Sequence, residues 1–171
     1  MRPLPVGLVA ASEWETFGPP PGLARPTTLL LRNLASECDK GSVFSELERI
    51  KLQARVDFVH VPIDYKEKLC KGLAFINFTS CEDADTARAQ WHGLQYYGGY
   101  RCSPKGLNVV WAQDQGFNSC TLLHHKRNKH RKDSTLKPWT RPDKEADRDQ
   151  LLLQVHPRSA KAAEAAMAKP S

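Results

Sequence analysis

The sequence contains no apolar run close to the roughly 18–20 residues that cross a bilayer. Its first segment, MRPLPVGLVAASEWE, is interrupted by proline and glycine and soon becomes acidic, so it makes a poor secretory signal. The five cysteines are odd in number and form no CxxC pair. We therefore expect reduced thiols, no membrane association, and an intracellular location in the nucleus or the cytoplasm.

Motifs of enzymes and of metal sites are also missing. The chain has no glycine-rich phosphate loop, no paired carboxylates and no nucleophile placed beside a base. The cluster Cys120, His124, His125 and His130 offers one thiol within a cationic tract, whereas a structural zinc site needs four suitable ligands. We therefore predict a protein that is not an enzyme and that needs no metal and no cofactor.

Positive charge is concentrated at one end of the chain, although the net charge is +6 overall. Residues 27–116 carry eleven cations and eleven anions, whereas residues 117–171 carry twelve cations and six anions. Any long-range attraction to a polyanion therefore comes from the C-terminal side.

Four short apolar or alternating runs are typical of strands, and two segments with helical spacing lie among them. In chain order the segments are TTLLLRNL (strand), ECDKGSVFSELERIKL (helix), RVDFVHVPID (strand), GLAFINF (strand), SCEDADTARAQWHGL (helix) and LNVVWA (strand). This order predicts an α+β protein with the ferredoxin-like β-α-β-β-α-β sandwich, in which one four-stranded antiparallel sheet carries both helices on one face.

The domain boundaries follow changes in composition. Residues 1–26 are proline-rich and predict a disordered leader, and residues 27–116 form the folded domain. Residues 117–130 predict a possible third helix that ends in a basic tract, and residues 131–171 predict a mostly disordered tail.

The alternation of strand residues leaves one face of the sheet without a covering element. The side chains expected there are Leu30, Arg32, Phe58, His60, Leu73, Phe75, Asn77, Asn108 and Val110. Unpaired bases can stack on the aromatic members of this set, and asparagine amides can hydrogen-bond to base edges. For Phe58 the alternative is packing against the predicted third helix. Arg32 and Lys71 are candidates for phosphate contacts.

The basic tract supplies a second group of candidate RNA contacts. Lys126, Arg127, Lys129, Arg131 and Lys132 can contact phosphates, or the tract can act as a nuclear import signal. A solvated tail without either role is the alternative.

Two of these strands resemble known RNA-binding motifs. KGLAFINF at residues 71–78 resembles the ribonucleoprotein octamer of the RNA recognition motif (RRM), and LLLRNL at residues 29–34 resembles its companion hexamer. A narrower resemblance is to the C-terminal RRM of the Mei-two-like RNA-binding proteins, through TTLLLRNL, VDFVHVPIDYKEKLCKGLAFINF and CSPKGLNVVWAQDQG. It implies single-stranded RNA binding and a role in post-transcriptional control.

The resemblance is incomplete at the positions that usually stack on bases. Leu30 and Leu73 occupy positions at which RRM domains usually carry aromatics, which leaves Phe75 as the matching aromatic. The sequence therefore supports two hypotheses. The first is a monomeric module that binds single-stranded RNA, and the second is an RRM whose apolar face binds a protein partner.

Overall fold

The computed structural model describes residues 25–128 and 137–155. Its strands are β1 (Thr28–Arg32), β2 (Val56–His60), β3 (Leu73–Phe78), β4 (Tyr96–Tyr97), β5 (Tyr100–Arg101), β6 (Asn108–Trp111) and β7 (Trp139–Thr140). Its α-helices are α1 (Lys40–Arg49), α2 (Cys81–Trp91), α3 (Phe117–Asn128) and α4 (Glu145–Val155), and single 3-10 turns lie at Gln53–Arg55 and Pro142–Lys144.

The main sheet is antiparallel and has the strand order β6-β1-β3-β2-β7. The first four of these strands, together with α1 and α2, confirm the predicted ferredoxin-like β-α-β-β-α-β fold. Strands β4 and β5 form a separate hairpin. The sheet has one strand more than the four predicted, because β7 pairs with the outer edge of β2.

The hydrophobic core lies between the sheet and helices α1 and α2. Alternate strand residues such as Leu29, Ile76 and Val59 are fully buried there, as the period of two requires. Helix α1 begins after Asp39, whose carboxylate accepts a hydrogen bond from the Ser42 amide at 2.8 Å. This packing commits one face of the sheet to the core, so that of the two faces only the opposite one can contact a ligand.

Residues 137–155 belong to the segment 131–171 that the sequence predicts to be mostly disordered, and the structure has a strand, a 3-10 turn and a helix there. In β7, Thr140 pairs with Phe58 and Trp139 pairs with Val59. The Trp139 ring packs edge-on against Phe44 of α1, with ring centroids 4.8 Å apart. The edge strand of a sheet carries backbone N–H and C=O groups without a partner strand. By pairing with β2, β7 provides hydrogen-bond partners for these groups and extends the sheet by one strand.

Other expectations lie partly outside the described residues. The predicted leader covers residues 1–26, of which the structure describes only the last two, and the tail beyond residue 155 is likewise not described. Within the described residues, no helix combines the length and the apolar character needed to cross a membrane.

Candidate nucleic-acid interface

Strand register arranges the face opposite α1 and α2 into three rows. The end row contains Asn108, Arg32 and Leu73, and the middle row contains Val110, Leu30, Phe75 and His60. The inner row contains Thr28, Asn77 and Phe58. Every face residue named from the alternation pattern is therefore found in one of these rows.

Helix α3 covers the inner row and part of the middle row. Its His124 is 2% exposed, and its ring lies against Phe58, His60 and Phe75 at centroid distances of 5.6, 4.5 and 4.5 Å. Phe58 and His60 are consequently 1% and 4% exposed, whereas Phe75 keeps part of its surface accessible. The face that the sequence leaves uncovered is therefore partly closed by the chain itself.

Asn77 lies in the covered inner row, and both the oxygen and the nitrogen of its side-chain amide form hydrogen bonds. Its Oδ1 accepts hydrogen bonds from the hydroxyls of Thr27 and Thr28 at 2.8 and 2.7 Å, and its Nδ2 donates to Asp57 Oδ1 at 2.7 Å. With 3% of its surface exposed, Asn77 holds three strands together and is not accessible to a base in this structure.

Thr27 and Thr28, which hydrogen-bond to Asn77, also anchor the residues directly before α3. The Gly116 amide donates to Thr28 Oγ1 at 2.9 Å, directly before the helix begins. The Gln115 side chain accepts from the amides of Thr27 and Thr28, both at 2.8 Å, and donates to the Thr28 and Ala112 carbonyls. These hydrogen bonds are partly shielded from water, and together they anchor the residues directly before α3 to β1.

Asp57 joins the network because β2 is irregular at this point. Val56 pairs with Phe78 and Phe58 pairs with Asn77, so Asp57 is an extra residue between them. Burial raises the pKa of its carboxyl group, while the hydrogen bond from Asn77 and the charges of Arg141 and Lys144 act in the opposite direction. The ionised carboxylate therefore loses contact with water, and the hydrogen bond from Asn77 and the nearby positive charges partly offset that loss.

The end row remains open to solvent. Arg32 and the neighbouring Lys71 are exposed, and Leu73 and Asn108 are partly exposed. Leu30 and Val110 continue this open area into the middle row. The uncovered area thus combines two cations, an amide and three aliphatic side chains.

The predicted basic contacts fall at the limit of the described chain. Lys126 and Arg127 lie in the last turns of α3, where the structure describes the backbone. Lys129, Arg131 and Lys132 lie outside the described residues.

Sequence reasoning missed the residues that bring α3 onto the sheet. Cys120 and His124 lie four residues apart, the spacing that places side chains on one helix face, and both are buried. This spacing indicates that Cys120 and His124 share one face of the helix, but it does not reveal which surface of the protein that face covers.

No family model matches the sequence, and no curated protein matches it. Among solved structures, the first two RRM domains of the yeast poly(U)-binding protein Pub1 are 26% identical with a TM-score of 0.39, covering 50% of this chain and 47% of that one. The Rna15 RRM with bound RNA (GU) is 17% identical with a TM-score of 0.44, covering 58% of this chain and 96% of that one.

The RNA recognition domains 1 and 2 of Drosophila melanogaster Sex-lethal are 22% identical with a TM-score of 0.41, covering 50% of this chain and 49% of that one. This chain therefore spans about half the length of the two-domain structures that it matches. These three solved structures are RNA recognition domains.

Proposed function

We propose that this chain is an RRM that binds single-stranded RNA through the open area formed by Arg32, Lys71, Leu73, Asn108 and the adjoining Leu30 and Val110. The observation that carries the proposal is the accessible end row, where a cation, an aliphatic side chain and an amide lie side by side on neighbouring strands. We further propose that the module acts as a monomer in post-transcriptional regulation within the cell.

Each side chain of the open area has a chemical role in this proposal. Arg32 and Lys71 neutralise phosphates, or Arg32 stacks its guanidinium plane on a base. Asn108 hydrogen-bonds to a base edge, and Leu73 provides an apolar surface beside it. Phe75 contributes its accessible edge, because His124 occupies part of its ring surface.

Helix α3 stays on the sheet during binding in this proposal. Moving it would expose Phe58 and separate the Cys120 thiol from Thr28 Oγ1, while the hydrogen bonds of Gln115 and Gly116 hold the residues directly before the helix; these contacts together oppose displacement. RNA therefore enters from the end row, and the basic tract at residues 126–132, which begins in the last turns of α3, adds long-range attraction.

A titration of fluorescently labelled random-sequence RNA at several salt concentrations tests this proposal. We expect affinity to fall with salt and Arg32→Ala to weaken binding about tenfold, in line with a lost charged contact. Arg101→Ala is the matched control, because Arg101 is an exposed arginine of the separate β4–β5 hairpin and does not belong to the rows of the sheet face. Absence of wild-type binding at low salt, or equal losses for both arginine variants, would contradict the proposal.

A protein partner is the second candidate function. Leu30, Leu73 and Val110 form a partly exposed aliphatic group on neighbouring strands, and aliphatic surfaces are less suited than aromatic ones to stacking bases. Co-purification with a partner that resists nuclease treatment and is lost in Leu73→Asp would favour this function over RNA binding.

A further inference from the structure

The connection between β2 and β3 is an ordered hairpin extension. The Asp64 amide donates to the Leu69 carbonyl at 2.7 Å, and Ile63 forms a bridge with Cys70. At its base the Lys71 amide donates to the Pro62 carbonyl at 3.0 Å. Residues 62–71, which we call the β2–β3 hairpin, therefore continue these two strands beyond the end row.

The turn at the tip of the β2–β3 hairpin is also fixed. Asp64 Oδ1 accepts hydrogen bonds from the amides of Lys66 and Glu67 at 2.9 and 3.0 Å. Such a side-chain turn holds the following residues in one conformation. The tip is thus a defined surface and not merely a charged linker between strands.

An exposed aromatic side chain lies at this tip. Tyr65 is 64% exposed, and Lys68 Nζ lies over its ring, 4.7 Å from the centroid. Since the ring stays largely exposed with a cation over one face, its other face is available for stacking. Lys66 and Lys71 are exposed on the same hairpin, and its anions are Asp64, whose carboxylate accepts the turn hydrogen bonds, and Glu67.

We propose that the β2–β3 hairpin is the second half of the RNA site, in which Tyr65 stacks on an unpaired base and Lys66 and Lys68 contact the flanking phosphates. This inference rests on the proposed RNA-binding function. It places the bound RNA strand along a path that runs from the end row of the sheet to the tip of the β2–β3 hairpin. Tyr65 lies three positions beyond Pro62, at most roughly 10 Å along an extended chain, so a short oligonucleotide can contact both the end row and the tip.

The hairpin supplies what the covered sheet lacks. RRM-type recognition relies on aromatic stacking, but α3 buries Phe58 and His60 and partly covers Phe75. Tyr65 is an aromatic ring beside cations that the core does not use. A stacking position outside the sheet thus compensates for Leu73 within it.

The test compares Tyr65→Ala with Tyr96→Ala in the full chain, using labelled random-sequence 12-mer RNA in fluorescence anisotropy. Tyr96 is 63% exposed on the β4–β5 hairpin and is therefore a control matched in residue type and exposure. We expect Tyr65→Ala to weaken binding about tenfold, Tyr65→Phe to change it less than about twofold, and Tyr96→Ala to leave it unchanged.

A charge variant adds an independent measurement. Lys66→Gln combined with Lys68→Gln should lower the slope of log affinity against log salt by about 1–2, because two phosphate contacts are lost. Thermal unfolding followed by circular dichroism verifies that each variant is folded.

The outcomes separate this inference from the proposed function. If Arg32→Ala weakens binding while Tyr65→Ala and the lysine variant do not, the hairpin inference is wrong and the proposed function stands. If Tyr65→Ala and Tyr96→Ala weaken binding equally, the hairpin inference is also wrong, because the loss is then not specific to the tip. If the wild type binds no RNA, both fail.

Discussion

Replacing Asn77 by alanine should destabilise the protein by about 3–5 kcal/mol, although its position on a candidate binding face suggests a role in recognition. The two bonds from Thr27 and Thr28 contribute about 0.5–1.5 kcal/mol each, and the bond to the Asp57 carboxylate contributes about 1.5–3 kcal/mol. The loss is a large fraction of the roughly 5–15 kcal/mol that stabilises a domain of this kind.

Urea unfolding at pH 7 measures this effect. Asn108→Ala is the matched control, since Asn108 is partly exposed on the same face and should change stability by less than about 0.5 kcal/mol. A double-mutant cycle with Asp57→Ala should give a coupling energy of about 1–3 kcal/mol between the two residues. A loss below about 1 kcal/mol in Asn77→Ala, or no coupling, would refute the structural role of the network.

Three further predictions concern the groups around this network. The pKa of Asp57 is raised in the folded state. The stability that this carboxyl group contributes is therefore fully present when the pH is below its ordinary pKa, and it is lost as the pH rises through the folded-state pKa. The free energy of unfolding of Asp57→Asn minus that of the wild type should therefore increase from about pH 4 upward in urea titrations; a flat difference would contradict the shift. Trp139→Ala should lower the free energy of unfolding by about 2 kcal/mol, because the contact with Phe44 is lost. Leu153→Ala, at an exposed position, should lower it by less than about 0.5 kcal/mol. Equal effects would argue against the docking of β7. Burial raises the pKa of Cys120 to about 11, so mass spectrometry should show iodoacetamide modifying it far more slowly than the more accessible Cys81. Saturating RNA should leave that slow rate unchanged, whereas faster modification would show that RNA displaces α3.

Much of the fold could be predicted because it depends on local periodicity. The alternation in β3 correctly separated Phe75 from Ile76, and the helical spacing located α1 and α2. These patterns reflect burial on one face of each element, which is recorded in neighbouring residues.

The remaining features depend on contacts between distant parts of the chain. Strand β7 has two residues, which is too short for any periodicity, and it is stabilised by pairing with β2. The bulge at Asp57 interrupts the alternation on which the assignment of β2 depends. The hydrogen bond between Thr28 and Gln115, which are 87 positions apart, anchors the chain just before α3. The sequence pattern therefore leaves the packing of Phe58 against this helix as one of two alternatives and does not show that Asn77 is covered.

The central claim is that RNA binds the open end of the sheet while α3 remains in place. Amide-shift mapping by NMR with a random-sequence oligonucleotide tests it most directly. We predict shifts at Arg32, Leu73 and Asn108, extending to Tyr65 in the β2–β3 hairpin, with Phe58 and His124 unchanged. Shifts confined to residues 126–132, or large shifts at Phe58 and His124, would contradict the account.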